Sequence, residues 1–190
     1  MKKILLLTVF ITLAIGLGFQ AGAAEPIKIG IMQIVDHPAL NAARDGVRDV
    51  LQEVYGYIPD KDIIYDMQSA QGDVATANTI ARKFISDKVN LIVSIATPTS
   101  QAATNATKEI PIVFSAVTDP VSAGLVKDLQ KPGGNVTGVS DMTPVDNQIN
   151  LIKYLFPNAK NIGTIYNAGE VNSVVTNDLA IKACKEIGMS

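Results

Sequence analysis

Apolar runs of strand length alternate along the chain with longer segments in which apolar residues recur every three or four positions. The first pattern is typical of strands covered on both faces, and the second is typical of helices that pack one face against a sheet. Their alternation predicts an α/β fold with a parallel sheet. The predicted strands are 27–32, 63–67, 91–95, 112–116 and 136–139. The helices predicted between them are 38–54, one opened by Asp73, one that begins at Pro98 and a short one at 124–129.

The same alternation starts again after the fifth strand. Its predicted elements are a helix at 144–156, a strand at 162–166 and a helix at 173–187. We therefore expect residues 24–140 to form one complete, doubly wound parallel-sheet lobe. Residues 141–190 are expected to be the truncated start of a second lobe, because these three elements are too few to bury a stable core of their own.

The beginning of the chain carries a separate signal. Two lysines precede an apolar run over 4–19, and small residues follow at 21–24. This order predicts a secretory signal peptide over 1–23, cleaved near Ala23 or Ala24. The apolar run is shorter than the roughly 18 to 20 residues that span a bilayer. We therefore expect a periplasmic product that is not anchored in the membrane after cleavage.

Composition narrows the function by exclusion. The 190 residues are 47% hydrophobic and 18% charged, with a formal net charge of -2, which argues against a nucleic-acid partner. One cysteine, Cys184, and one histidine, His37, rule out an intrachain disulfide and a cysteine- or histidine-rich metal site. The common glycine-rich phosphate loops and the Gly-x-Ser-x-Gly elbow do not occur. We expect a protein that is not an enzyme and that uses no cofactor.

Polar loops follow the predicted strands, and ligands of open parallel sheets bind at the carboxyl ends of strands. These loops are 33–37, 69–73, 96–100, 117–120 and 167–173. Two of them lead into helices, whose first amide groups and partial positive charge can hold a carboxylate. Thr97 and Ser173 stand at these helix starts, where each could donate a hydrogen bond to a ligand or serve only as an N-cap.

Two carboxylates in these loops, Asp119 and Glu170, are placed to receive an ammonium group, which an amino-acid ligand carries beside its carboxylate. Asp119 precedes Pro120 and is as readily a turn residue. His37 precedes a proline at a helix start, where packing or hydrogen bonding is its default role.

At these loops the sequence closely resembles the family of ABC transporter substrate-binding proteins that includes tryptophan-binding importer components. The matching stretches are GIMQIVDHPAL (30–40), AQGD (70–73), IATP (95–98), PIVFSAVTDP (111–120), GGNVTGVSD (133–141) and YNAGEVNS (166–173). They keep their order through nearly the whole chain after the leader, so the match is far more specific than any single motif.

The resemblance implies a two-lobed, type I periplasmic-binding-protein fold that closes on its ligand by a hinge motion. It also implies an ABC permease and an ATPase as partners and an aromatic amino acid as the small-molecule ligand. By analogy with the family, the first-lobe wall of the cleft carries Gln33, His37, Ala96, Thr97, Thr118 and Asp119. The second-lobe wall carries Asn167, Glu170 and Ser173.

Ligand binding for an importer fits the export signal and the polar loops at the strand ends. A periplasmic sensor that feeds a receptor rather than a permease uses the same fold and stays open as an alternative. An exported enzyme on an α/β scaffold is the weakest reading, because one histidine and one cysteine leave little for catalysis.

Overall fold

The computed structural model describes residues 25–190, and within them five parallel strands form one sheet. The strands are β1 (Ile27–Gln33), β2 (Ile63–Ser69), β3 (Leu91–Ile95), β4 (Ile112–Val117) and β5 (Val136–Ser140). Their order across the sheet is β2-β1-β3-β4-β5. Each predicted first-lobe strand is confirmed to within two residues. The predicted signal peptide lies outside the described residues.

Five helices connect or follow these strands. They are α1 (Pro38–Asp49, followed by a π-helical turn at Val50–Val54), α2 (Val74–Ser86), α3 (Thr97–Ala106), α4 (Val145–Leu155) and α5 (Val171–Glu186). Local capping explains two of the starts: His37 Nδ1 accepts a hydrogen bond from the Ala39 amide, and Asp73 accepts one from the Thr76 amide. None of the helices that the structure describes is long and apolar enough to cross a membrane.

Helices cover both faces of the sheet. Successive side chains of a strand point to opposite faces, so Ile31 and Ile95 pack on the side of α1. Met32 and Ile92 belong to the larger cluster on the other side, which α2 and α3 complete. This arrangement is the doubly wound fold that the sequence predicts for the first lobe.

The predicted strand at 162–166 is wrong, because this segment is irregular. A strand requires a neighbour with which its backbone pairs, and only the first part of the segment has one. Ile162 N donates to Ser190 O at 2.7 Å, and Ser190 N donates to Lys160 O at 2.9 Å. From 163 to 166, the backbone forms no hydrogen bond to another strand within residues 25–190, and Ile165 is fully exposed.

The predicted short helix at 124–129 is also wrong, because the chain forms turns there. Gly124 has a φ of +72°, and this left-handed conformation ends a right-handed helical turn. The Leu125 amide then bonds back to the Pro120 carbonyl at 2.9 Å instead of continuing a helix. The apolar pattern over these six residues therefore arises from a turn that buries Leu125, and not from a helix.

The second lobe begins with α4 and α5, which pack against each other. Val145 and Ile149 of α4 lie in one buried cluster with Cys184 of α5. Across the described chain, no hydrogen bond joins residues 27–140 to residues 144–190. The two lobes thus have separate cores.

The contact between β1 and α2 is tight enough to test by substitution. A Cβ at Gly30 would lie 2.6 Å from Phe84 Cδ2, and the buried Phe84 ring has no room to move. We expect Gly30→Ala to lower the free energy of unfolding by about 1–3 kcal/mol, measured by urea denaturation. Gly46→Ala is the control, because nothing lies within 4 Å of the added Cβ. Alanine in a helix interior is also more stabilising than glycine by about 0.5–1 kcal/mol. Equal effects of the two changes would contradict this packing.

Candidate functional site

The carboxyl ends of four strands lie side by side at one edge of the sheet. In the pairing register, Gln33 of β1 stands opposite Ser69 of β2 on one side and Ile95 of β3 on the other, and Ile95 stands opposite Ser115 of β4. Between β1 and β3 the strand order changes direction. Such a switch point opens a crevice between the loops that follow the two strands, where ligands of open α/β sheets bind.

Backbone strain is concentrated at this edge. Ala96, directly after β3, has φ 83° and ψ 158°, a region that residues other than glycine rarely adopt. Ala116, near the end of the adjacent β4, has φ 54°. The two strand ends are held together because Ala96 N donates to Ser115 O at 3.0 Å. Strain of this kind, about 1–3 kcal/mol per residue, is found mainly where a binding or catalytic site needs an unusual backbone.

Helix α3 starts at this strained residue, and its first turn is buried. Thr97, Thr99 and Ser100 are each at most 2% exposed. The Thr99 hydroxyl donates to Ile95 O at 2.6 Å, and the Ser100 hydroxyl donates to Ala96 O at 2.8 Å. These hydrogen bonds hold the start of the helix against the end of β3. The first amides of a helix have no hydrogen-bond partner within the helix. The N-cap position is Ala96, so the possibility that Thr97 is an N-cap is wrong.

The loop after β1 forms a polar corner with α1 and the loop after β2. Gln33 is 1% exposed, and its Nε2 donates to Asp36 Oδ1 and to Asn41 Oδ1, both at 2.8 Å. Gln71, in the loop after β2, donates to Asp36 Oδ2 at 3.1 Å. His37 is exposed and caps α1. Asp36, Asn41 and Gln71 were not among the predicted site residues, although Asp36 and Gln71 lie inside the stretches that carry the resemblance.

The loop after β4 holds Thr118 and Asp119, which have different roles. The Thr118 carbonyl accepts a hydrogen bond from the Ser140 hydroxyl at 2.8 Å. Asp119 accepts three hydrogen bonds within its own turn: Oδ1 from the Val121 and Ser122 amides at 3.0 and 3.1 Å, and Oδ2 from the Ser122 hydroxyl at 2.6 Å. This geometry is that of a turn residue, and it uses most of the acceptor capacity of this carboxylate.

The three predicted residues of the second lobe form one hydrogen-bonded group. Asn167 Nδ2 donates to Glu170 Oε1 at 2.9 Å, and the Asn167 amide donates to the Ser173 hydroxyl at 3.2 Å. Ser173 is the third residue of α5, and Glu170 occupies the N-cap position, so Ser173 is not an N-cap. Beside this group is an open cavity of about 300 Å³ whose lining includes Tyr166, Asn172 and Ser173.

The structure therefore gathers the predicted site residues into two groups. The six from the first lobe lie at the strand ends, loops and helix start along one edge of the sheet, and the three from the second lobe lie in and just after the loop that leads into α5. In the part of the chain that is described, no hydrogen bond links the two groups, and no three His, Cys, Asp or Glu side chains cluster as metal ligands.

Comparison with known proteins defines the class of this protein. The family model described as ABC transporter substrate binding protein matches residues 28–190. The chain therefore belongs to this family of ABC transporter substrate-binding proteins, and its fold is the type I periplasmic-binding-protein fold that the resemblance implied.

Particular relatives are similar over most of this chain. A tyrosine-binding protein from Clostridioides difficile strain R20291 is 53% identical over 151 residues, which are 80% of this chain and 44% of that protein. An ABC domain from Streptococcus pneumoniae in complex with L-Trp is 40% identical, with a TM-score of 0.82, and the match covers 87% of this chain and 56% of that one. A ligand-free, open substrate-binding protein with adhesive properties from Clostridium difficile is 49% identical, with a TM-score of 0.68 and coverage of 86% and 55%. The chain thus spans about half the length of these relatives.

The strain at Ala96 predicts a stabilising substitution. Glycine adopts this backbone conformation without steric cost, and the relief should exceed the entropy that glycine adds to the unfolded chain. We expect Ala96→Gly to raise the free energy of unfolding by about 1 kcal/mol, measured by urea denaturation. Ala102→Gly, in the interior of the same helix, should lower it by about 1 kcal/mol or more. A loss of stability in Ala96→Gly would show that position 96 is not strained.

The turn at Asp119 predicts a dependence of stability on pH. The Ser122 hydroxyl, with the Ser122 and Val121 amides, holds the pKa of the Asp119 carboxyl below its ordinary value. The folded state therefore binds this proton less readily than the unfolded state, so the stabilisation is present above about pH 4 and is lost as the pH falls through the lower folded pKa. Wild type should be more stable than Asp119→Asn at pH 7, and the difference should shrink in acid.

Ser122→Ala is the control for this titration. It removes the hydroxyl that lowers the Asp119 pKa most, so a smaller part of the stability should depend on pH. Chemical denaturation of all three proteins between about pH 2 and pH 7 measures the effect. A gap between wild type and Asp119→Asn that stays constant over this range would contradict the assignment.

Proposed function

We propose that this protein is the solute-binding component of an ABC importer and that it binds an aromatic amino acid in a cleft between its two lobes. The observation that carries the proposal is the switch-point edge of the first lobe, where the strained Ala96 opens α3 with a buried first turn. Backbone strain clusters at functional sites, and this place in the fold is where ligands of open α/β sheets bind.

The ligand carboxylate is assigned to the start of α3. The first amides of a helix and its partial positive charge hold an anion without any basic side chain. Thr97 contributes to this site at the first position of the helix, and the backbone conformation of Ala96 sets the direction in which the helix begins. Gln33, His37, Thr118 and Asp119 complete the first wall from the neighbouring loops.

The second wall of the cleft is assigned to Asn167, Glu170 and Ser173. Two amide donors, Asn167 Nδ2 at 2.9 Å and Asn172 Nδ2 at 3.4 Å, hold the Glu170 carboxylate in place. Its charge complements the ammonium group of an amino acid. A ligand that binds helix dipoles on one wall and a carboxylate on the other stabilises the arrangement in which the walls approach each other.

Two relatives support closure by a hinge. This chain superposes on the L-Trp complex with a TM-score of 0.82 at 40% identity, but on the ligand-free, open protein with 0.68 at 49% identity. Residues 141–144 connect the two lobes here, and no hydrogen bond bridges them elsewhere in the described residues. Separate cores joined by a short connection suit rigid-body motion about that connection.

The remaining parts of the proposal concern location and partners. A signal peptide over 1–23 directs export, cleavage near Ala23 or Ala24 releases the protein into the periplasm, and the loaded protein delivers its ligand to an ABC permease driven by an ATPase. The protein itself catalyses no reaction. The tyrosine-binding relative and the L-Trp complex support an aromatic amino acid as the ligand.

Calorimetric titration tests the ligand and the second wall together. We expect the mature protein to bind L-tryptophan and L-tyrosine more tightly than L-leucine. Glu170→Gln should weaken binding of both aromatic amino acids by about tenfold, because it removes the charge that faces the ammonium group. Glu186→Gln is the matched control, since Glu186 is exposed near the end of the same helix and forms only a long ion pair with Lys182.

Absence of heat with every amino acid would overturn the proposed ligand. Equal losses in Glu170→Gln and Glu186→Gln would remove Glu170 from the binding site while leaving the ligand assignment in place.

A further inference from the structure

Asp36 is a carboxylate that is fixed in position without being neutralised. Gln33 Nε2 and Gln71 Nε2 donate to its two oxygens from two different loops, at 2.8 and 3.1 Å. Both donors are neutral amides. A carboxylate offers about four acceptor positions, so part of its capacity remains open at the surface, where Asp36 is exposed.

No cation in residues 25–190 pairs with Asp36. The side chain makes no salt bridge, and Arg44, on which the charge of Asp36 acts, forms a two-pronged contact with Asp45 at 2.9 and 3.2 Å. Asp119 differs, because three donors of its own turn occupy it. Of these two carboxylates at the edge of the first-lobe sheet, Asp36 is the one with room for a further charged donor.

The Gln33 amide gives an independent sign of an absent donor. Its nitrogen is directed to the Asp36 carboxylate, which only accepts hydrogen bonds, so the orientation of the amide is fixed. Its Oε1 atom is buried and accepts no hydrogen bond from the described residues. A buried acceptor without a donor is destabilising, and a ligand N–H group brought to this corner would reduce that cost.

Position in the sheet connects this corner to the proposed carboxylate site. Gln33 stands opposite Ile95 across the pairing of β1 with β3, so the loop with Asp36 and the start of α3 leave the sheet from adjacent strands. In an α-amino acid, the ammonium and carboxylate groups are attached to the same carbon atom. The carboxylate at the start of α3 therefore leaves the ammonium group close to the loop after β1.

We propose that Asp36 binds the ammonium group of the amino-acid ligand from the first lobe and thereby selects ligands that carry a free α-amino group. Gln33 and Gln71 are positioning residues that hold this carboxylate. The inference rests on the proposed function. It adds a first-lobe partner to the ammonium contact that Glu170 makes from the second wall.

Three probes separate the possible roles of Asp36. L-tryptophan has both an ammonium group and a side-chain N–H, L-phenylalanine has only the ammonium group, and indole-3-propionate has only the side-chain N–H. We expect Asp36→Asn to weaken binding of both amino acids by about tenfold or more and to change indole-3-propionate affinity by less than about threefold. Calorimetry, with competition for the weak ligand, measures the affinities.

Asp128→Asn is the matched control. Asp128 also accepts two hydrogen bonds in a loop of the first lobe, from the Gln130 and Lys131 amides. It lies in the connection between β4 and β5, nearer in sequence to the start of β5 than to the end of β4. It should leave all three affinities unchanged. Thermal unfolding of both variants shows whether the loop is intact.

Other outcomes overturn the inference in distinct ways. A loss confined to L-tryptophan would assign Asp36 to the ligand side chain. Equal losses for all three probes would give it a purely structural role, and unchanged affinities would remove it from the site. If wild-type protein binds none of the amino acids, the proposed function fails before Asp36 is tested.

Discussion

Parallel pairing places Gln33 of β1 opposite Ile95 of β3, and this register sets where both of the following loops begin. Slippage by one residue would turn every side chain of β1 to the other face of the sheet. Ile31 would then leave the cluster against α1, and Gln33 would lose its contacts with Asp36 and Asn41. The same pairing that buries the core therefore also aligns the proposed binding edge.

The strained strand ends follow from this alignment. Ala96 and Ala116 adopt positive φ angles although alanine gains nothing from them locally. The surroundings impose these angles: β3 is fixed by pairing on both sides, and the first turn of α3 is buried against it. The core thus fixes the backbone conformation of this edge before a ligand binds. Such an edge is preorganised, so a ligand would need to order little of it.

Much of the first lobe could be predicted from the sequence because its signals are local. An apolar run such as 91–95 predicts a strand wherever neighbours exist to pair with it. The segment 162–166 is also rich in residues that favour strands, but only Ile162 finds a backbone partner, in Ser190. Strand formation depends on the neighbour as much as on the segment, and a single run of residues does not contain that information.

The candidate site shows the same division between local and distant signals. Polar loops at strand ends pointed to Thr97, Asp119 and Glu170, because each stands beside a recognisable strand or helix boundary. The contact between Asp36 and Gln71 joins residues 35 positions apart, and only the pairing of β1 with β2 brings them together. The positive φ of Ala96 had no sequence signal either, since glycine is the residue expected there.

In the proposed cleft, ligand binding unites two walls that are each incomplete. The first-lobe edge offers helix dipoles and a fixed carboxylate, and the second-lobe loop offers another carboxylate beside an open cavity. A ligand shifts the equilibrium between open and closed forms only by the difference in its affinity for the two. Contacts to a single wall exist in both forms and so cannot drive closure. In the proposed complex, the two opposed carboxylates both contact the ammonium group only when the walls meet. Such contacts make closure depend on the ligand.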